Sequence, residues 1–263
     1  ENLPSHSLTI VPERVKDMQK TLGLIQALIG ITDDERARFE KRVKSYRRPY
    51  EAIPLKFQLE EDEIAKIMVN DFFLPGVQVE AELVRHYPMG KDFAHVLGYV
   101  GQMNEAEKKR LDPIQYKITR RIGKIGIERY YEKELHGQVG YQKVETNAQG
   151  RILKVLEKQS SIPGKNLILN LDARLQRTAM EAFDGRRGSL VAMDPKTGGV
   201  LAMVSSPSFD PNLFVNGISY KDYNALRDSL DVPLFDRATR GQYPPGSTMK
   251  PFIGLGFLES GVT

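Results

Sequence analysis

The chain has 263 residues, 40% of them hydrophobic and 27% charged, and it contains neither cysteine nor tryptophan. That composition suits one large or two modest globular domains and rules out a disulfide framework or a thiolate metal site. Lysine and arginine outnumber aspartate and glutamate by 38 to 34, and a formal charge of +4 demands neither nucleic acid nor an anionic membrane as a partner.

In chain order, Leu8-Thr9-Ile10-Val11 reads as a short strand, and near-helical apolar spacing predicts a helix over residues 12–28. Thr32 with Glu35 forms a capping box for a second helix that should end near Arg48, because Pro49 disfavours helical geometry before it. Lys41, Arg42, Lys44, Arg47 and Arg48 gather at its C-terminal end, where the helix dipole favours cations. No aromatic platform accompanies them, so they read as a solvated face and no nucleic-acid partner is expected. A third helix is expected over residues 59–70. Its opening acidic run, Glu60 to Glu63, sits where a helix start stabilises anions, which favours a structural role over metal binding or acid-base work. Residues 77–84 alternate apolar and polar as a half-buried strand does.

His6, His86, His95 and His136 lie far apart without ligand spacing, so no metal site and no cofactor are expected. A charged helix over 104–111 precedes Gly123-Lys124-Ile125-Gly126-Ile127-Glu128, whose glycines match neither a P-loop nor a dinucleotide fingerprint and read as a turn into an aromatic-rich helix. Residues 140–155 read as a hairpin turning through Asn147-Ala148-Gln149-Gly150, and the polar Pro- and Gly-bearing stretch 160–164 as the linker between two domains, 1–164 and 165–263.

In the second domain a strand is expected at 167–171, and a helix capped by Asp172 should run to Phe183. Strands at 189–194 and 200–205 are joined by Pro195-Lys196-Thr197-Gly198-Gly199, which reads as turn chemistry. A loop at 208–219 and a helix at 220–230 follow. The stretch 233–241 then leads to a helical segment at 243–258 that carries Ser247 in its first turn. There Lys250 falls three residues on, over the same face. A serine hydroxyl is a poor nucleophile until a base takes its proton, and a lysine can be that base only where desolvation or nearby positive charge favours its neutral form. The N-H groups and dipole of the first turn favour a developing alkoxide.

Ser-x-x-Lys alone is common, but Pro244-Pro245-Gly246-Ser247-Thr248-Met249-Lys250-Pro251-Phe252 resembles the active-serine motif of penicillin-binding transpeptidases. Gly123 to Glu128 resembles the Gly-x-x-Gly-Ile-Glu segment of the non-catalytic pedestal in class B penicillin-binding proteins. From there to Thr263 the chain is similar to the elongation-type transpeptidases of Gram-negative rods. The resemblance implies an α+β protein: a mixed pedestal domain over 1–164, then the first part of a serine β-lactamase-like transpeptidase domain over 165–263, an antiparallel sheet with helices. It implies that Ser247 attacks the penultimate D-alanine carbonyl of a stem peptide with Lys250 as general base, and that a neighbouring stem amine resolves the acyl-enzyme into a cross-link. β-Lactams would trap that intermediate. It implies further a periplasmic setting, a single membrane helix upstream, and a rod-shape SEDS glycosyltransferase with other elongation-complex proteins as partners.

Glu1 in place of a starting methionine, and an end just past the Ser247 helix, lead us to expect a piece of a longer polypeptide. The family's Arg-Gly-x-x-x-Asp-Arg segment, Ser-x-Asn motif and catalytic Lys-Thr-Gly motif are absent. Lys196-Thr197-Gly198 precedes the serine, whereas the family's catalytic copy follows it. Residues 165–263 alone should therefore leave a sheet face uncovered. The alternative reading is a non-catalytic module that docks the glycosyltransferase and leaves the serine unused.

Overall fold

The computed structural model describes residues 1–45, 50, 52–116, 119–146 and 152–261. Contacts divide the chain into one unit of Glu1–Ile168 with Phe209–Leu226 and another of Leu169–Ser208 with Arg227–Thr263.

The first unit is built on an antiparallel sheet in which β1 (Asn2–Ile10) lies between β2 (Ile53–Lys56) and β3 (Val77–Arg85). β1 begins six residues before the expected strand, because the nine residues of β3 pair along its whole length, Asn2 opposite Arg85 to Ile10 opposite Val77. Pro4 is tolerated there because β2 pairs only with Leu8, Thr9 and Ile10, leaving the outer half of β1 without a ladder on that side. Leu8 and Ile10 point into a core with Leu22, Ile25, Phe39, Ile53, Leu55, Ile67 and Leu74.

The helix expected over 12–28 is two elements: a 3-10 turn at Pro12–Arg14 and a helix at Met18–Ile29. Val15 is extended, and Asp17 caps the second element by accepting the Lys20 N-H at 3.0 Å. The Thr32 and Glu35 box forms as expected at the head of Asp33–Ser45, with Thr32 N-H to Glu35 Oε2 at 2.7 Å and Glu35 N-H to Thr32 Oγ1 at 3.2 Å. The end expected near Arg48 lies outside the described residues. The acidic run opens Glu61–Val69, where Glu60 and Glu63 make a reciprocal box.

Further along, β4 (Val100–Gln102) pairs with β5 (Arg121–Gly123), and β6 (Tyr141–Thr146) with β7 (Ile152–Gln159) as the expected hairpin. Its turn lies outside the described residues. The glycines after β5 are spatial requirements. A Cβ on Gly123 would stand 2.1 Å from the Glu128 carbonyl oxygen. Gly126, at φ +62°, would bring one within 2.7 Å of the Gly98 N and the Val96 O. Gly123→Ala should therefore destabilise the protein by about 1–3 kcal/mol, read as a lower urea midpoint; an unchanged midpoint would show that the backbone yields there.

This close approach buries the Glu128 carboxylate. It pairs with Arg85 Nε at 2.8 Å and accepts the Tyr87 hydroxyl at 3.0 Å, while that hydroxyl accepts the Val100 N-H at 2.9 Å. Burial and the nearby Glu128 charge push the Tyr87 phenol far up, so it stays a donor.

The segment Phe209–Leu226 belongs with this unit through specific contacts. The Asn212 amide brackets Tyr87, accepting its N-H at 2.9 Å and donating to its carbonyl at 3.0 Å. Phe214 stacks on Tyr99 at 4.2 Å. Arg121 donates to the Val215 carbonyl, to Asn216 Oδ1 and bidentately to Glu82, which also accepts the Ser7 hydroxyl.

Burial alone would raise the Glu82 carboxyl, but the Arg121 guanidinium and the Ser7 hydroxyl outweigh it and hold the group below its ordinary value of 4.5. A lowered folded value means stability that is complete above the unfolded value and is lost as pH falls through the folded one. Unfolding free energy should therefore fall on acidification below about pH 4.5, with a shallower slope in Glu82→Gln. Equal slopes would show that Glu82 contributes nothing to the acid sensitivity.

In the second unit, Asp172 accepts the Arg174 and Leu175 N-H groups and caps Ala173–Phe183, as expected. That helix packs on β9 (Val200–Ser206), which pairs with β8 (Gly188–Met193). Buried Gln176 spans the Met203 peptide, donating to its carbonyl and accepting its N-H, both at 2.8 Å. The β8–β9 turn is closed by Asp194, which accepts the Lys196 N-H and the Thr197 hydroxyl, with Gly198 at φ +73°. Lys196-Thr197-Gly198 thus does turn work. No strand forms at residues 167–171: only the Asp172 N-H reaches the Leu201 carbonyl, and Ile168 is 99% exposed. β9 runs past the end of that stretch, but among the described residues the Asp172 bond is not continued as a ladder, and the sheet there stays two-stranded.

Candidate active site

The route to Ser247 starts at the end of β9. Ser205 Oγ accepts the Arg237 N-H at 2.9 Å and donates to the Phe235 carbonyl at 3.2 Å, pinning the incoming chain to the sheet. Asp236 caps the short helix Arg237–Arg240 by accepting the Ala238 and Thr239 N-H groups. Arg237 is only 7% exposed. Its guanidinium is held by carbonyl oxygens, Nη1 donating to Val232 at 3.3 Å and Nη2 to Asp231 at 2.5 Å.

After Gly241 the two prolines and Gly246, at φ +56°, deliver the chain into a 3-10 turn, Gly246–Met249. The Thr248 hydroxyl bonds back to the Pro245 carbonyl, and the Lys250 N-H donates to the Ser247 carbonyl. In a 3-10 turn side chains three apart stand nearly above one another, so Ser247 and Lys250 share a side. Lys250 then opens the helix Lys250–Ser260, with Pro251 in the first turn, where its missing N-H costs nothing.

Both side chains are exposed in this chain. So are Phe252, Ile253, Leu255, Phe257 and Leu258 along the following helix. A helix apolar on every side is one that other elements cover, and only such cover would desolvate a lysine beside the serine. Proteolysis of residues 165–263 expressed alone should accordingly be rapid; resistance to digestion would contradict this reading of the exposed surface.

Among the described residues no group of three or more His, Asp or Glu could hold a metal ion, and no helix is long and apolar enough to cross a membrane. Sequence reasoning missed Arg237. Its one local signal is Asp236 before it as a helix cap, and a charged residue is by default read as solvated.

Residues 1–169 match the penicillin-binding protein dimerisation domain, and residues 188–263 match the penicillin-binding protein transpeptidase domain. The chain belongs to the penicillin-binding protein family. As expected from sequence, it is α+β, a dimerisation-type pedestal followed by the start of a transpeptidase domain. It is 44% identical over 262 residues to the peptidoglycan D,D-transpeptidase MrdA of Acinetobacter baumannii, covering 100% of this chain and 39% of that protein. It is 43% identical to MrdA of Escherichia coli K12, covering 99% of this chain and 42% of the relative. The chain thus spans about two fifths of the curated relatives it matches.

Among solved structures, penicillin-binding protein 2 of Pseudomonas aeruginosa in complex with WCK 5153 is 55% identical over 69% of this chain and 36% of that one, with a TM-score of 0.62. The complex between penicillin-binding protein 2 and MreC from Helicobacter pylori is 28% identical, with a TM-score of 0.80 over 98% of this chain and 48% of that one.

Proposed function

We propose that this penicillin-binding protein chain supplies the pedestal and the nucleophile of a serine D,D-transpeptidase that cross-links peptidoglycan during elongation of the lateral wall. The observation that carries this is Ser247 in the 3-10 turn with Lys250, three residues on, closing that turn by its N-H to the Ser247 carbonyl, inside the stretch that matches the transpeptidase domain. Ser247 Oγ attacks the penultimate D-alanine carbonyl of a stem peptide. Lys250, once neutral and desolvated, takes its proton, and terminal D-alanine leaves as a free amino acid. Backbone N-H groups of the turn, including that of Ser247, receive the oxyanion. An amine of a second stem then displaces the serine and completes the cross-link. A β-lactam occupies the same path and stalls at the acyl-enzyme.

The reading places the protein on the periplasmic face of the cytoplasmic membrane, anchored by a single upstream helix. A second reading, a docking module for the elongation machinery, draws support from the penicillin-binding protein 2 and MreC complex, whose fold matches 98% of this chain. A MreC-type scaffold and a SEDS glycosyltransferase are the partners it implies. Incubating the full-length protein with D-Ala-D-Ala stem peptides tests the catalytic reading. Release of D-alanine that Ser247→Ala abolishes is expected; release that the variant retains overturns the assignment of Ser247.

A further inference from the structure

Val232 stands at φ +44°, a conformation that a β-branched residue adopts only when its surroundings compel it. Two observations show what compels it here. The Asp231 and Val232 carbonyl oxygens both accept hydrogen bonds from the buried Arg237 guanidinium, and Phe235 offers its carbonyl to the same Nη1 and its ring face at 6.0 Å. The Arg237 backbone N-H is in turn fixed to Ser205 at the end of β9. One residue, holding the turn with its side chain and the sheet with its backbone N-H, therefore ties the two together at the head of the ten-residue path to Ser247. Along that path Gly241 packs tightly, its missing Cβ leaving room for the Arg237 carbonyl and the Tyr243 ring.

Resting on the transpeptidase reading of Ser247, we infer that Arg237 is a positioning residue: it clamps the Asp231–Phe235 turn in its strained form, and that form sets where the Ser247 turn stands relative to β9. It touches no substrate. Its effect reaches the reaction through the placement of the nucleophile, where displacements of an ångström are costly. Among the described residues the Arg237 guanidinium is held by carbonyls and not by a carboxylate, which suits a clamp, since five donors in a fixed fork can hold several carbonyls at once.

The test uses the full-length protein and a fluorescent penicillin, separating the acylation rate constant from the dissociation constant of the first complex. Arg237→Gln should slow acylation roughly 10- to 100-fold with little change in that dissociation constant. Ser205→Ala, which removes one anchor and leaves the fork, should slow it less and in the same way, and it keeps the test readable if Arg237→Gln folds poorly. Glycine adopts positive φ freely, so Val232→Gly added to Arg237→Gln should restore most of the lost rate. Wild-type rates in both single variants, or a double variant as slow as Arg237→Gln, would overturn the clamp while leaving Ser247 in place. A wild-type protein that takes no penicillin overturns the transpeptidase reading and this inference with it, so the two failures are distinguishable.

Discussion

Replacing Lys250 with arginine should slow acylation of Ser247 by roughly 10²- to 10⁴-fold, although the positive charge is kept. A general base must hold a lone pair, and a guanidinium is protonated at every pH the protein tolerates. Lys250→Met should lose about as much, which separates proton transfer from simple electrostatic attraction of a carboxylate-bearing substrate. The geometry supports this strong dependence on one side chain. The Lys250 N-H is bonded to the Ser247 carbonyl, which fixes the backbone spacing between the two residues. Adduct formation between the full-length protein and a fluorescent penicillin provides the rate. An Arg variant that acylates at the wild-type rate would mean that another group takes the serine proton, and the role given to Lys250 would fall.

The second large effect concerns the pedestal. Glu128→Ala should destabilise the protein by about 3–5 kcal/mol, towards the lower end because the Arg85 side chain keeps 19% of its surface in contact with solvent. The loss comes less from the attraction forfeited than from what stays behind: an arginine head and a buried tyrosine hydroxyl whose acceptor has gone. The double variant Arg85→Met with Glu128→Leu should recover much of that stability, since apolar groups of similar volume can replace a buried pair. Urea unfolding followed by circular dichroism measures both. A double variant as unstable as Glu128→Ala would show that the carboxylate is needed for the shape of the Gly123 to Glu128 turn itself.

Elements with local signals were legible in the sequence. The Thr32 and Glu35 box, the Asp172 cap and the glycine-bearing turn between β8 and β9 are each specified by residues within a few positions of one another. The three-residue spacing of Ser247 and Lys250 belongs to this class, which is why the candidate site is legible in the order of the residues alone.

What the sequence hid depends on distant partners. The outer half of β1 is a strand because β3, far along the chain, is there to pair with it. Residues 167–171 have a strand's composition, but the adjoining backbone bond to β9, from Asp172 to Leu201, does not extend into a ladder among the described residues. The break between Pro12–Arg14 and Met18–Ile29 turns on whether Asp17 caps or merely continues a helix, and both fit the apolar spacing. Segment Phe209–Leu226 follows β9 in sequence yet belongs with the first unit through Asn212, Phe214 and the acceptors for Arg121. Buried Arg237 and Glu128 are the clearest cases. Composition predicts charged residues at the surface, and only the assembled carbonyls and the Arg85 partner explain why these two are inside.

The central claim, that Ser247 is an acylated nucleophile, is tested most directly by the intact mass of the full-length protein with and without a β-lactam, beside Ser247→Ala. One stoichiometric adduct is expected, mapped by peptide digestion to the fragment holding Ser247 and absent from the variant. A properly folded protein that gains no mass, or a variant that gains the same mass, would contradict it.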